Sequence, residues 1–172
     1  MTVEAAGTLS LAVQYASNML ADCATFRTLT ATTSRKAALA KCHWRGWPDP
    51  SDGHKYSTAE LAIYRPSAIV SPDSEGALES QPVGVATWRE SGRVIAELIR
   101  AVPSGDKTEA DRDWDNVVGK ICDELQAMHY TQGTEAYLVL ESIEIEQGPG
   151  RIKIDYAAGE GEEQIAILAL EW

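Results

Sequence analysis

Three acidic residues, Asp111, Asp113 and Asp115, form the first group in this chain whose type and spacing could do chemistry, because carboxylates bind divalent cations. The apolar spacing around them predicts a helix, and on a helix Asp111 and Asp113 point about 200° apart. They cannot converge on one ion. We therefore interpret them as solvated residues that stabilise the positive end of the helix dipole, and we expect neither a metal nor a cofactor.

Cys42 and His43 are neighbours, and a thiolate beside an imidazole could act as a nucleophile with its base. Adjacent side chains on a helix diverge, however, and no second histidine or acid stands at a spacing that would orient the pair. We expect Cys42 to be a small core residue. No phosphate-binding glycine loop and no nucleophile-elbow motif is found, so the sequence favours a protein that is not an enzyme.

Two tryptophans, Trp44 and Trp47, flank Arg45 and Gly46 beside a proline-rich stretch that predicts a loop. Tryptophan and arginine are enriched among residues that anchor protein interfaces. Trp44, Arg45 and Trp47 are therefore candidates for a subunit interface. The alternative is that these tryptophans pack beneath their own loop.

The formal charge of −11 is unevenly distributed. Residues 1–103 hold ten acids and ten bases, whereas residues 104–172 hold sixteen acids and five bases. Such a chain disfavours nucleic acid as an adhering ligand, and disfavours an anionic membrane, because both bind basic patches. Within the acidic third, Glu160, Glu162 and Glu163 are predicted to occupy an exposed loop.

The cysteine content and the hydropathy indicate where the protein works. Three cysteines without a CxxC motif suit a reducing cytosol better than a disulfide framework. The first twenty residues lack a basic region followed by a continuous apolar run, so we expect no signal peptide. No run approaches the roughly 20 apolar residues of a membrane span.

Apolar spacing and turn residues together predict the secondary structure. Thr108 and Asp111 resemble a capping box at the start of the longest helix. A turn at 147–150 pairs 143–146 with 151–154 in a hairpin. The predicted helices span 8–24, 34–42 and 108–128. The predicted strands span 61–64, 68–70, 83–88, 94–101, 137–146, 151–155 and 165–172.

This order of elements predicts an α+β fold in a single domain of residues 1–172. We expect a mainly antiparallel sheet with a C-terminal three-strand meander, packed against the long helix and the N-terminal helix. Residues 165–172 are apolar on both faces, which is typical of a central strand. The residues expected in the core between sheet and helix are Trp114, Leu125, Ile143, Ile145, Ile152, Ile154, Ile165 and Ile167.

With these elements placed, the chain resembles the tail terminator and tail-completion proteins of long-tailed bacteriophages. The resemblance is one of pattern. It involves the N-terminal amphipathic helix, the stretch 24–29 before an alanine-rich helix, and the strand that leads into the helix from Trp114 to Met128. It is strongest in the ending, from Tyr137 through 151–155 to Trp172. It covers most of the chain but not residues 44–81.

The resemblance implies a structural virion protein that forms a ring, expected to be a hexamer, at the head-proximal end of the tail tube. Such a ring stops tube polymerisation and docks the head, so its partners are further copies of itself, the tail tube protein and head–tail connector proteins. It would assemble in the host cytoplasm and remain in the virion tail. DNA would pass through without specific binding, with Glu160, Glu162 and Glu163 near the lumen.

Two alternatives from other classes remain open at this point. One is an acidic soluble inhibitor, or DNA mimic, that binds a basic partner through clustered carboxylates at 106–115, 141–146 and 160–163. The other is an enzyme whose pocket is built from residues distant in sequence.

Overall fold

A computed structural model describes residues 7–48, 56–74, 79–85, 88–128, 138–147 and 163–171. Within these ranges the chain forms five helices and seven strands. The helices are α1 (Thr8–Asp22), α2 (Ala24–Leu29), α3 (Arg35–Leu39), α4 (Thr58–Tyr64) and α5 (Lys107–Ala127). The strands are β1 (Cys42–Trp44), β2 (Ser67–Pro72), β3 (Glu79–Pro82), β4 (Trp88–Ser91), β5 (Arg93–Ala101), β6 (Val139–Gln147) and β7 (Glu163–Glu171).

Five of the strands form one sheet in the order β1-β2-β5-β7-β6. β1 runs parallel to β2, and the other neighbours are antiparallel. The longest ladder joins β5 to β7, from Arg93 opposite Glu171 to Ala101 opposite Glu163. β3 and β4 form a separate two-stranded hairpin. The predicted α+β class and the mainly antiparallel sheet are confirmed.

The first face of the sheet carries the larger core, and helices α1, α2 and α5 cover it. Alternate residues of β5 and β7 point to this side, because successive side chains of a strand alternate between faces. Trp114 and Phe26 are the largest side chains that are fully buried. The strand residues of this core are Ala68, Val70, Val94, Ala96, Leu98, Ala166, Leu168 and Leu170.

The second face carries a smaller core. Ile69, Ile99 and Ile165 of the sheet pack there against Trp47 and against Leu61 of α4. The prediction that Ile165 and Ile167 belong to the core around Trp114 is therefore wrong, because both isoleucines lie on the opposite face. Trp114 and Leu125, which were predicted to lie in the same core, are buried as predicted.

The long helix α5 matches its prediction within one residue at each end. Its buried side chains, including Trp114, Ile121 and Leu125, form the predicted apolar stripe. The cap differs from the prediction. Asp106 is the N-cap residue, and its carboxylate accepts a hydrogen bond from the Glu109 amide at 3.1 Å, so no capping box at Thr108 is needed.

Two predicted strands are wrong. Residues 61–64 belong to α4, whose start has a full capping box: the Ser57 hydroxyl accepts from the Glu60 amide, while the Glu60 carboxylate accepts from the Ser57 amide. This local signal outweighs the β-propensity of the isoleucine and tyrosine that follow. Of the predicted strand 83–88, residues 83–85 follow the end of β3 and are not part of a strand, and Trp88 begins β4 opposite Pro82. Helix α2 was missed because its six residues show no clear apolar period.

The C-terminal strands combine a confirmed prediction with a corrected one. β7 is central, as its apolar character on both faces predicts, since it pairs with β5 on one side and β6 on the other. The predicted order of the meander is wrong. The prediction places residues 151–155 beside the last strand, whereas β6 occupies that position beside β7. Those residues, and the expected cross-strand pairs at 143–154, involve positions outside the described part of the chain.

Two glycines at α5 should respond in opposite ways to the same substitution. A methyl group would meet no atom within 4 Å at Gly105 or at Gly119, so space does not decide the outcome. Gly105 has φ +132°, which other residues rarely adopt, and Gly105→Ala should destabilise by about 1 to 3 kcal/mol. Gly119 lies inside the helix, and Gly119→Ala should stabilise by about 0.5 to 1 kcal/mol.

Urea denaturation of the two variants beside the parent protein measures both effects. Destabilisation by Gly119→Ala would contradict the open space that the structure shows around this position.

Candidate functional site

The two tryptophans of the predicted interface point in different directions. β1 ends at Trp44, and the chain then reverses through Arg45 (φ 59°) and Gly46 (φ 155°). Trp44 remains 50% exposed, whereas Trp47 is 7% exposed. Trp44 and Arg45 therefore stay candidates for a contact surface. The interface prediction for Trp47 is wrong, because the reversal turns its ring into the second core.

An aromatic cluster holds Trp47 in place. The indole Nε1 donates a hydrogen bond to the Ser67 hydroxyl at 3.0 Å. Its ring stacks on Tyr64 with centroids 5.9 Å apart and meets Tyr56 edge-on at 5.7 Å. The Tyr56 hydroxyl lies 3.2 Å from the Trp47 carbonyl oxygen and donates to it. This cluster anchors α4 to the sheet.

His43 packs against the same cluster, edge-on to Tyr64 with centroids 5.8 Å apart. Its Nε2 is buried and has no hydrogen-bond partner among the described residues. Burial lowers the pKa of His43, and the nearby positive charge of Lys41 lowers it further. The Lys41 ammonium donates to the Ile63 carbonyl at 2.6 Å, which ties the end of α4 to the residue before β1. His43 is thus neutral and structural at neutral pH.

Cys42 lies on the opposite face of β1 from His43. Its Sγ approaches the Ser17 carbonyl at 3.8 Å and the Ala38 carbonyl at 3.7 Å. Burial raises the pKa of the Cys42 thiol to about 12. A thiol that stays protonated, with its neighbouring imidazole on the other side of the strand, is not an activated nucleophile. The structure agrees with the prediction of a core cysteine.

Glu163 contradicts its prediction as an exposed lumen residue. It is the first residue of β7, is 5% exposed, and pairs with Arg65 through an Nη1–Oε1 distance of 2.7 Å. Both side chains of this pair are largely buried. The carboxylate therefore neutralises an internal arginine at the end of α4. Glu160 and Glu162 lie outside the described residues.

Two of the acids at the start of α5 are part of a second internal network. Arg100 of β5 donates to the Asp113 carboxylate at 2.7 Å and to the Gln164 side chain at 2.8 Å. Gln164 in turn donates to Asp111 at 2.8 Å. The Arg100 guanidinium also lies 4.8 Å from the Trp114 ring centroid. Asp113 is solvated as predicted, with 57% of its side chain exposed, and Asp111 is partly buried. Beyond the prediction, both acids also tie the helix to the sheet through Arg100 and Gln164.

Besides Trp44, the structure exposes three apolar side chains that the sequence analysis did not single out, Ile63, Val83 and Val85. Among the described residues, the large hydrophobic side chains that are exposed are Trp44, Ile63, Val83 and Val85. Val83 and Val85 lie in the turn of the β3–β4 hairpin. The sequence contains a signal for these two valines, because the five residues between Pro82 and Trp88 include no charged residue. The sequence analysis predicts a strand for that run.

The described part of the chain offers few groups for chemistry. Within it, no three histidine, cysteine, aspartate or glutamate side chains are placed to hold a metal ion. None of its helices combines the length and apolar character needed to cross a membrane.

Comparison with known proteins adds no assignment. A search of protein-family models finds none that matches the chain, and a search of curated proteins finds no match.

Replacing Glu163 tests its structural role. Glu163→Ala leaves Arg65 buried without its partner, so we expect the free energy of unfolding to fall by about 3 to 5 kcal/mol. The matched control is Glu171→Ala, because Glu171 pairs with Arg93 at 3.2 Å but is 48% exposed. That variant should lose no more than about 1 kcal/mol. Chemical denaturation measures both, and equal small losses would return Glu163 to the group of exposed acids.

The buried imidazole of His43 should make stability depend on pH. Its pKa is lower in the folded chain than in the unfolded chain, so the stabilisation is complete above the unfolded pKa near 6.5 and is lost as pH falls through the folded pKa. The slope is at most about 1.4 kcal/mol per pH unit.

Denaturation of the parent protein and of His43→Gln between pH 5 and pH 8 isolates this effect, since the other histidines are common to both. We expect the parent to lose stability relative to the variant on acidification. If the free energies of unfolding of the two proteins changed with pH in parallel, His43 would titrate normally in the fold.

Proposed function

We propose that this protein is a tail terminator of a long-tailed bacteriophage: a subunit that closes into a ring at the head-proximal end of the tail tube, stops its polymerisation and docks the head. The observation that carries the proposal is the pattern of the whole chain, an N-terminal helix and a long helix on one face of a mainly antiparallel sheet with a central last strand. The sequence resemblance to tail terminators covers the same elements.

The chemistry of the described residues supports a structural role. The three cysteines have pKa values raised by burial, to about 12 for Cys23 and Cys42 and to about 11 for Cys122. His43 is neutral and packed against a tyrosine. Within the described ranges, the groups most able to react are thus held in unreactive states, as expected of a protein that works by assembling.

The charge distribution fits a subunit past which DNA travels. The last third of the chain holds all of the net negative charge, including Glu160 and Glu162. A negative surface at the lumen repels the phosphate backbone, so a passing genome meets no binding well. The tail tube and the head connector would then bind the two ends of the ring.

The internal use of carboxylates favours this role over that of an acidic inhibitor. An inhibitor that mimics DNA must present its carboxylates to a basic partner. In two of the three acidic clusters, Asp111, Asp113 and Glu163 accept hydrogen bonds from their own chain. Fewer acids are left for recognition than the sequence suggests.

Disruption of the gene in its native virus tests the proposal. We expect tails of unregulated length without attached heads, because nothing would stop the tube or dock the head, and electron microscopy of the lysate measures both. A copy of the unmodified gene supplied in trans should restore normal tails. Normal tails in the disrupted virus would contradict the proposal.

A further inference from the structure

Helix α4 is attached to the sheet through side chains at its C-terminal end. Leu61 is buried in the second core, and Tyr64 packs against that core. The Tyr64 ring stacks on Trp47 and meets His43 edge-on, with centroids 5.9 and 5.8 Å away, respectively. The longer helices α1 and α5 pack closely on strands of the sheet, whereas no described element packs as closely against α4. Elements with few buried contacts open locally at a low free energy, and α4 is such an element.

The imidazole of His43 lies at this attachment and is suited to its neutral state. Its Nε2 is buried and has no hydrogen-bond partner among the described residues. A neutral imidazole carries hydrogen on only one nitrogen, so the other nitrogen needs no acceptor. Protonation gives both nitrogens a hydrogen and brings a charge into the site, and a buried donor or charge without a partner is costly. A protonated His43 therefore disfavours the attached position of α4.

The charged groups of the two elements that meet at this point do not compensate an imidazolium. Lys41 precedes β1, and its ammonium donates to the Ile63 carbonyl of α4 at 2.6 Å. Burial lowers the pKa of His43, and the positive charge of Lys41 lowers it further. On α4, the Glu60 carboxylate accepts hydrogen bonds from the amide and the hydroxyl of Ser57 at the start of the helix. Protonation would therefore set a second positive charge beside Lys41.

Other charged groups on this face of the sheet are paired or lie further away. The residue opposite His43 on β2 is the uncharged Ile69. Glu97 lies opposite Ile69 on β5, two strands or about 10 Å from His43. Arg65, which follows α4, is neutralised by Glu163 at 2.7 Å. The balance of charge next to the imidazole is thus set by Lys41.

From this arrangement we infer that α4 is an acid-sensitive latch, which is released from the sheet when His43 is protonated. The released helix uncovers apolar residues of the second face, namely Ile69, Ile99 and Ile165. The larger core lies on the opposite face of the sheet, so α4 can open while that core keeps the chain folded. The latch is a property of the fold and does not depend on the proposed function.

Amide hydrogen exchange, followed by NMR, tests the latch. The Leu61 amide donates to the Ser57 carbonyl at 3.0 Å and the Arg65 amide donates to the Leu61 carbonyl at 2.9 Å, so both amides exchange when α4 opens. We expect them to exchange through a local opening, with less protection than the core amides of α5 and little dependence on low concentrations of urea. After correction for intrinsic rates, their protection should fall between pH 7 and pH 5. The fall is at most about thirtyfold, because each pH unit below the usual histidine pKa of about 6.5 changes the equilibrium at most tenfold.

Two histidine variants assign the response to one residue. His43→Gln removes the titrating group, so the protection of the α4 amides should no longer change between pH 7 and pH 5. The chain contains three histidines, and the matched control carries His54→Gln together with His129→Gln. Because the control keeps His43, its α4 amides should respond to pH like those of the parent. Should His43→Gln fail to fold, which circular dichroism checks, the comparison of α4 with α5 in the parent and in the control still decides.

Three results would overturn the latch. If the α4 amides were as protected and as sensitive to urea as those of α5, the helix would open only when the whole chain unfolds. If their protection did not change between pH 7 and pH 5, opening would not depend on a histidine. If the change persisted in His43→Gln, or disappeared in the control, another group would be responsible. Each of these results leaves the proposed tail role standing, because ring formation is not measured.

Discussion

The rest of the structure depends on the antiparallel ladder between β5 and β7. It joins nine residues of each strand, and both strands carry apolar residues on both faces. Each face must therefore be removed from water, because exposed apolar area costs about 25 cal/mol per Å². Helices α1, α2 and α5 cover one face with a large core. Among the described residues, the short α4 and the segment around Trp47 cover the other face.

One end of the same ladder gathers the buried charges. Glu163 and Gln164 are the first two residues of β7, opposite Ala101 and Arg100 of β5, and their side chains point to opposite faces. Glu163 neutralises Arg65 on the side of α4, and Gln164 joins Arg100 to the acids of α5 on the other side. On each face of the sheet, one arginine thus holds the covering helix to the strands at this end of the ladder. Several carboxylates of the chain are bound within the fold in this way, so only part of its negative charge is presented at the surface.

Much of the fold could be predicted from the sequence, because strong periodic signals decide it. The stripe of α5 and the doubly apolar β7 predict a long helix and a central strand, and both are confirmed. The failures have physical causes. A capping box at Ser57 outweighed the strand propensity of 61–64, and Ile165 could not be assigned to a face without knowing which helix covers each side.

The candidate site was less predictable, because burial at a turn depends on backbone conformation. The positive φ values at Arg45 and Gly46 send Trp47 inward and leave Trp44 exposed, and nothing in the composition of the segment distinguishes the two. Glu163 seemed part of a polar loop, since its partner Arg65 lies 98 residues away in sequence. The apolar run that includes Val83 and Val85 was visible as a pattern, but a strand and an exposed segment can share that composition.

We propose that this chain closes into a ring with copies of itself. Native mass spectrometry of the purified protein over a range of concentrations tests it most directly. We expect monomers to give way to one species of fixed stoichiometry, six by the resemblance to tail terminators, with no larger series. Monomers alone, or a ladder of species that lengthens with concentration, would contradict it.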